Sequence, residues 1–267
     1  MKRREFVFGS TAIVGAASVG LPSWRQTTYR TARITKKRRS GTDKAYSHKR
    51  VKDPTGAIGG RVERFELRGG DCSRNSDCTA RLLNGRMVTR ARTEEVWDTN
   101  LRKGDSGAFR YPLYLPYNVV PSVGTTLGQV LSAYQRGNDY DSFPLFSVDT
   151  ERDRNRVYAA LSQVRTNESQ RVRTSDHTIG DKRRNMLDRW IDVTVYFGLS
   201  TGSDGFITPV IDGKQITTFT GPNILDDGYL EIRYGIYQTG TNQFSGGATA
   251  VSTQVAYYAN LQVLRAS

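Results

Sequence analysis

The stretch Tyr229-Leu-Glu-Ile-Arg-Tyr-Gly-Ile-Tyr-Gln238 decides the fold class of this chain. Aromatic and β-branched residues dominate it, which is typical of a β-strand, and the side chains of a strand alternate between its two faces. Arg233, Gly235 and Tyr237 therefore share one face, and the apolar residues between them share the other. A glycine inside a strand often marks the close approach of a ligand or of a second backbone. The polar face suits an anionic sugar, and an ordinary half-buried strand with a solvated face gives the same pattern.

The same kind of pattern continues through residues 51–267, where short apolar runs are separated by Gly, Asn, Asp and Pro. Residues 61–67 and 190–198 are examples, and Asp212-Gly213 is a hairpin turn signal. No sustained helical stripe is present. Many short antiparallel strands at this spacing predict an all-β fold, a two-sheet antiparallel jelly-roll sandwich.

The N-terminal region is predicted to lie outside this domain. Residues 1–24 combine Arg3-Arg4 with a short apolar run, which indicates a signal peptide of the twin-arginine (Tat) type and a protein exported to the periplasm or secreted. A cytoplasmic protein with an apolar N-terminus is the alternative. Residues 25–50 lack apolar periodicity and contain Lys36-Lys-Arg-Arg39, so they are interpreted as a disordered basic linker.

The net charge of +13 points to an anionic partner. Ten of the first 39 residues are Lys or Arg and only Glu5 opposes them, so the remaining domain is mildly basic. The charge alone leaves nucleic acid, a lipid surface and an acidic polysaccharide open, and the mild charge of the domain weakens the nucleic-acid alternative. Because the polar face of residues 229–238 suits an anionic sugar, we expect an acidic polysaccharide as partner, no nucleic acid, no membrane after removal of the signal, and a monomer.

The two cysteines, Cys72 and Cys78, each follow an aspartate. In an exported protein such a short spacing indicates a disulfide that closes a turn. Metal binding needs further soft ligands, and the two histidines are distant in sequence. We expect no metal and no cofactor. Calcium stays open but is not indicated, because Asp204-Gly205 and Asp212-Gly213 offer too few ligand oxygens.

The order of several short motifs resembles the heparin-lyase-I-like polysaccharide lyases. They run from residue 51 to the C-terminus and include Val51-Lys-Asp-Pro-Thr-Gly56, Arg64-Phe-Glu-Leu-Arg-Gly-Gly-Asp71, Arg90-Ala-Arg-Thr-Glu94, Tyr114-Leu-Pro116, Leu127-Gly-Gln129 and Tyr257-Tyr-Ala-Asn-Leu261. The family-seven alginate lyases have similar motifs. The resemblance implies a concanavalin A-like jelly roll and cleavage of a uronate-containing chain by β-elimination.

The resemblance also implies roles for individual residues. Such a lyase must neutralise the uronate carboxylate, remove the adjacent proton and protonate the leaving oxygen. Arg92 and Gln129 would hold the carboxylate, and Tyr237 would be the acid and also a candidate base. Arg90, Glu94 and Arg233 would contact the substrate, with Arg233 standing where the related motif has lysine. A charge ladder across a sheet would equally explain Arg90, Arg92 and Glu94.

One position departs from the family pattern. The residue two after Gln129, where the family has histidine, is Leu131. His177, in the polar segment Thr174-Ser-Asp-His-Thr178, is interpreted as a loop residue that either enters the site or stays at the surface. The outcomes left open are a tyrosine-only lyase, a lyase with a displaced histidine and a catalytically inactive carbohydrate-binding module. A glycoside hydrolase ranks behind these, because Glu63 and Glu66 point to opposite faces of their strand.

Overall fold

The computed structural model describes residues 27–72, 77–79, 81–83, 86–117, 124–151, 156–165, 170–181, 186–241 and 252–267. The predicted export signal lies outside these ranges. In chain order the strands are β1 (Tyr29–Thr31), β2 (Ile34–Gly41), β3 (His48–Lys52), β4 (Arg61–Leu67), β5 (Arg81–Leu83), β6 (Arg86–Val88), β7 (Arg90–Thr99), β8 (Ser106–Tyr114), β9 (Thr125–Arg136), β10 (Asp139–Glu151), β11 (Arg156–Arg165), β12 (Gln170–Asp181), β13 (Trp190–Gly198), β14 (Phe206–Ile211), β15 (Lys214–Gln215), β16 (Phe219–Thr220), β17 (Tyr229–Thr239), β18 (Gln254–Tyr258) and β19 (Gln262–Ala266). No helix in these ranges is long and apolar enough to cross a membrane.

Two antiparallel sheets contain nearly all of these strands. Among the described residues, the seven-stranded sheet has the order β12-β11-β10-β9-β17-β7-β2. The ten-stranded sheet has the path β15-β14-β13-β8-β18-β4-β3, with β1, β16 and β19 attached to it. Strands β5 and β6 form a separate hairpin. The prediction of an all-β, two-sheet antiparallel jelly roll is confirmed, and the turn at Asp212-Gly213 joins β14 to β15 as expected.

The core lies between the two sheets. The aromatic rings of Phe65, Trp97, Tyr234 and Tyr258 pack edge to face there, with centroid distances of 5.1 to 5.6 Å. Such edge contacts suit the electrostatics of aromatic rings. The Tyr258 hydroxyl also donates to the backbone carbonyl of Gly235, 2.6 Å away, which ties β18 of one sheet to β17 of the other.

The interpretation of residues 25–50 as a disordered linker is wrong from residue 27 onward. Strand β2 pairs with β7 at the edge of the seven-stranded sheet, and β3 pairs with β4 at the edge of the other. The basic run of β2 is stabilised by partners instead of apolar burial. The Lys37 ammonium lies 4.2 Å from the centre of the Trp97 ring, and Arg38 forms ion pairs with Asp98 and Glu231. A strand without an apolar stripe is therefore held by ion pairs and a cation–π contact, which a search for apolar periodicity cannot detect.

The first motif of the family resemblance, at residues 51–56, forms a turn around Asp53. The buried Asp53 carboxylate accepts hydrogen bonds from the backbone amides of Thr55 and Ile58 at 2.9 and 2.7 Å. It also accepts from the Trp190 indole, 3.2 Å away, on β13. This motif therefore has a structural function, joining the turn after β3 to the centre of the ten-stranded sheet.

Candidate active site

Strand β17 presents the two faces that its sequence predicts. Ile232, Tyr234 and Ile236 are buried in the core, so the opposite face of the strand points away from the ten-stranded sheet. Arg233 and Tyr237 lie on that outer face. The predicted alternation of this strand is thereby confirmed.

Gly235 is required by a neighbouring backbone. Its φ of 127° lies in a region that L residues with side chains rarely adopt. A Cβ atom here would lie 2.3 Å from the carbonyl oxygen of Thr93 on β7. The register with β9 shifts between Tyr234 and Tyr237, which is a β-bulge. Of the two explanations for a glycine in this strand, the close approach of a second backbone is the one observed.

Strand pairing brings the sequence-predicted site residues together. On β17, Tyr237 is the direct partner of Arg92 on β7, and Arg233 is the direct partner of Gln129 on β9. Directly opposed residues in an antiparallel sheet point to the same side. Arg92, Gln129, Arg233 and Tyr237 therefore share the outer face of the seven-stranded sheet. Glu94, opposite Gly235, and Arg90, opposite Thr239, belong to the same two strands.

The Arg92 guanidinium is held from three sides. Its carbon lies 4.4 Å from the centre of the Tyr237 ring, within the range of a cation–π contact. Its Nε and one terminal nitrogen donate to the two carboxylate oxygens of Asp77 at 2.7 and 3.0 Å. The other terminal nitrogen lies 3.5 Å from the Glu94 carboxylate. The side chain of Asp77 is 2% exposed and that of Arg92 is 13% exposed.

Arg233 belongs to a second network of charges on the same face. Its Nε donates to the Glu231 carboxylate at 2.6 Å, and a terminal nitrogen donates to the hydroxyls of Tyr140 and Ser142 at 2.8 and 3.0 Å. Arg38, from the strand that was expected to be a linker, reaches the other Glu231 oxygen at 2.5 Å. Each guanidinium is thus paired with a buried or half-buried carboxylate. The face offers balanced ion pairs, and a uronate carboxylate that binds here must share or replace existing partners.

The protonation of Tyr237 and Glu94 follows from their burial. Burial raises the pKa of the Tyr237 phenol above its ordinary value of about 10, although the guanidinium groups of Arg92 and Arg90 act in the opposite direction. Burial likewise raises the pKa of Glu94 despite the nearby Arg92 and Arg233. Burial therefore outweighs the two guanidinium groups in setting the pKa of Tyr237. Tyr237 is protonated at neutral pH and can donate a proton.

Neither of the two histidines faces this side of the sheet. His177 lies on β12, not in a loop, and pairs with Ala159, which is part of the core, so its imidazole points to the core side. His48 also lies between the sheets, where its ring is 3.0 Å from the Glu63 carboxylate and stacks on Phe65. Leu131, at the position of the family histidine, pairs with Glu231 on the outer face and is buried.

Sequence reasoning missed Asp77, Glu231 and Arg38 as members of this face. Glu231 was within reach of the alternation argument, because it precedes Arg233 by two residues on the same strand. Asp77 and Arg38 depend on contacts that are distant in sequence. The disulfide beside Asp77 is confirmed: Cys72 and Cys78 are bonded, with their Cα atoms 5.3 Å apart. Within the described ranges no group of three or more His, Cys, Asp and Glu side chains is arranged to hold a metal ion.

Comparison with known proteins gives the family. The model of the polysaccharide lyase family matches residues 23–262. No curated protein matches the sequence. Among solved structures, an endo-β-1,4-glucuronan lyase from the fungus Trichoderma reesei aligns with 88% of this chain and 94% of its own, at 13% identity and a TM-score of 0.59.

Two alginate lyase structures are also similar. Alginate lyase Aly36B, solved with an alginate trisaccharide, aligns with 88% of this chain and 100% of its own at 12% identity and a TM-score of 0.50. Family 7 alginate lyase A1-II′, solved with its product, aligns with 84% of this chain and 85% of its own at 13% identity and a TM-score of 0.50. At these identities the likeness concerns the fold. Together with the family model, which covers most of the sequence, it confirms the resemblance drawn from the motifs: the chain belongs to the polysaccharide lyase family.

Proposed function

We propose that this chain cleaves a uronate-containing polysaccharide by β-elimination on the outer face of the seven-stranded sheet. The observation that carries the proposal is the stacking of Arg92 on Tyr237, 4.4 Å apart, with Arg233 and Gln129 on the same face. A cation and an amide neutralise a carboxylate, and a phenol beside them can deliver a proton. These are the groups that the elimination needs next to one another.

In the proposed reaction the phenolate form of Tyr237 removes the proton at C5 of the uronate, beside the carboxylate, and becomes a phenol. The electrons form a double bond between C4 and C5, the C4–oxygen bond breaks, and Tyr237 protonates the departing glycosidic oxygen. Arg92 and Gln129 stabilise the negative charge that spreads into the carboxylate. The raised pKa of Tyr237 favours its acid form at neutral pH, so only a small ionised fraction is available as the base.

The cellular location that fits this function is outside the cytoplasm. We infer export to the periplasm or secretion, because the substrate class is an extracellular polymer and disulfides persist in oxidising compartments. The disulfide between Cys72 and Cys78 supports this inference. Detection of the protein in periplasmic and culture-medium fractions tests it.

A carbohydrate-binding module without activity is the second candidate. One specific observation favours it: both histidines point away from the outer face, so no imidazole is available there as the base. Such a module would keep the arginines, the tyrosines and the hydrogen-bonding groups without needing a proton acceptor.

Incubation with a panel of uronate polymers separates the two candidates. Glucuronan, alginate, pectate and a glycosaminoglycan are tested in parallel, and ultraviolet absorbance records the new C4–C5 double bond. Binding of each polymer is measured on the same samples. A lyase produces absorbing ends from at least one polymer, whereas a binding module retains a polymer without changing its absorbance or length.

A further inference from the structure

The disulfide loop carries an aspartate that reaches the proposed catalytic arginine. Asp77 directly precedes Cys78, and its carboxylate forms both hydrogen bonds to the Arg92 guanidinium. Two parallel bonds between an arginine and a carboxylate fix the plane of the guanidinium as well as its position. The guanidinium carbon lies 4.4 Å from the centre of the Tyr237 ring.

The backbone of the same residue is also attached to β7. The Asp77 carbonyl oxygen accepts a hydrogen bond from the Arg90 amide at 2.8 Å. Asp77 is therefore docked on the strand through both its main chain and its side chain. Because the side chain is 2% exposed, water competes little for these bonds.

The other end of the loop is fixed in a similar way. Asp71 precedes Cys72, and its carboxylate accepts from the Tyr46 hydroxyl at 2.6 Å and from the Arg68 amide at 2.8 Å. The disulfide joins these two anchored points. The position of Asp77 is thus set from the turn after β4 as well as from β7.

We propose that Asp77 is a positioning residue for Arg92, and that the disulfide loop serves to hold its carboxylate there. The proposal rests on the function proposed above. Asp77 occupies Nε and one terminal nitrogen of Arg92, so the other terminal nitrogen, 3.5 Å from Glu94, is the one with N–H groups to offer a substrate carboxylate while the guanidinium stays beside the Tyr237 ring. Without Asp77, the guanidinium can rotate and bind a carboxylate in orientations that do not align it with the phenol.

The test uses the full-length protein with Asp77→Asn, which preserves the size of the side chain and removes its charge. Small displacements of a positioning group cost on the order of 100-fold in rate, so kcat on the cleaved uronate polymer is expected to fall tenfold to 100-fold. KM is expected to stay level or fall, because a released guanidinium still binds carboxylate. Asp105→Asn is the matched control, since Asp105 pairs with Arg265 at a distance from this face, and it should keep the kcat of the wild type.

A second readout does not depend on activity. The Nε–H resonance of Arg92, assigned with Arg92→Lys, should be protected from exchange in the wild type and in Asp105→Asn, and should lose protection in Asp77→Asn. An unchanged resonance together with an unchanged kcat would overturn the proposal. If the wild type cleaves no polymer, the proposed function is contradicted. The Nε–H resonance then decides by itself whether Asp77 positions Arg92.

Discussion

At the scale of single residues, the outer face of the seven-stranded sheet is a set of paired charges. Arg92 lies between Asp77 and Glu94, and Arg233 lies beside Glu231. Each charge is desolvated, so its protonation depends on its neighbours and on burial together. The consequence is a face that is prepared for proton donation by Tyr237, while its cations are already engaged.

Glu94 gives a test of this electrostatic balance. Burial raises its pKa, so Glu94 binds its proton more tightly in the folded protein than in the unfolded chain. The stabilisation that protonated Glu94 contributes to the wild type is therefore fully present below the unfolded pKa of this group. It is lost as pH rises through the folded pKa. We expect Glu94→Gln to gain stability relative to wild type between pH 5 and pH 8, measured by urea unfolding at both values. If the free energy of unfolding of Glu94→Gln falls relative to that of wild type as pH rises, this interpretation is contradicted.

At the scale of elements, β2 shows how a basic segment becomes part of a sheet. Its lysine and arginine side chains meet carboxylates and an aromatic ring of β7 and β17. An apolar pattern is absent because β2 is an edge strand whose contacts are mainly ionic. The sequence alone therefore indicates disorder for β2, although in the folded protein its basic side chains have partners on β7 and β17.

Arg38 provides the corresponding prediction. It bonds Asp98 and the fully buried Glu231, so Arg38→Met leaves Glu231 with one cation fewer. We expect a loss of roughly 1–3 kcal/mol in the free energy of unfolding, the usual cost when a buried charged group loses a partner. Lys36→Met, on an exposed position of the same strand, is the control and should change stability little. Equal stability of both variants would support the linker interpretation.

The turn at Asp53 gives a prediction with a defined pH dependence. Burial acts to raise its pKa, but the hydrogen bonds from Thr55, Ile58 and Trp190 prevail and lower it. A lowered folded pKa stabilises the protein above the unfolded value of about 4, and this contribution is lost as pH falls through the folded pKa. Asp53→Asn should therefore cost roughly 1–3 kcal/mol at pH 7 and progressively less below pH 4. Denaturant unfolding at pH 7 and pH 3 measures it; a cost independent of pH would contradict the assignment.

At the scale of the whole molecule, the sequence could predict what depends on alternation and turn chemistry. It predicted the jelly roll, the two faces of β17 and the placement of Arg233 and Tyr237 on one of them. It could not predict that Asp77 bonds Arg92, because Asp77 lies beside a disulfide in a segment without strand periodicity, and its partner lies on β7. It also assigned His177 to a loop, because small polar residues near a sheet edge do not show the apolar alternation of a buried strand.

We expect Tyr237 to donate the proton that completes cleavage. Tyr229 supplies a close control, since it lies on the same strand and stacks with Arg102 at 4.9 Å as Tyr237 does with Arg92. Loss of a general acid typically costs about 10²- to 10⁴-fold in rate. Removing only a hydroxyl should leave polymer binding nearly unchanged.

The most direct measurement is the rate at which unsaturated ends appear from the best uronate polymer with wild type, Tyr237→Phe and Tyr229→Phe. Proton donation by Tyr237 requires turnover by wild type and by Tyr229→Phe, and a loss of at least 100-fold in Tyr237→Phe with the polymer still bound. Turnover by Tyr237→Phe at the wild-type rate would contradict it, and so would polymer that wild type binds but never converts to unsaturated ends.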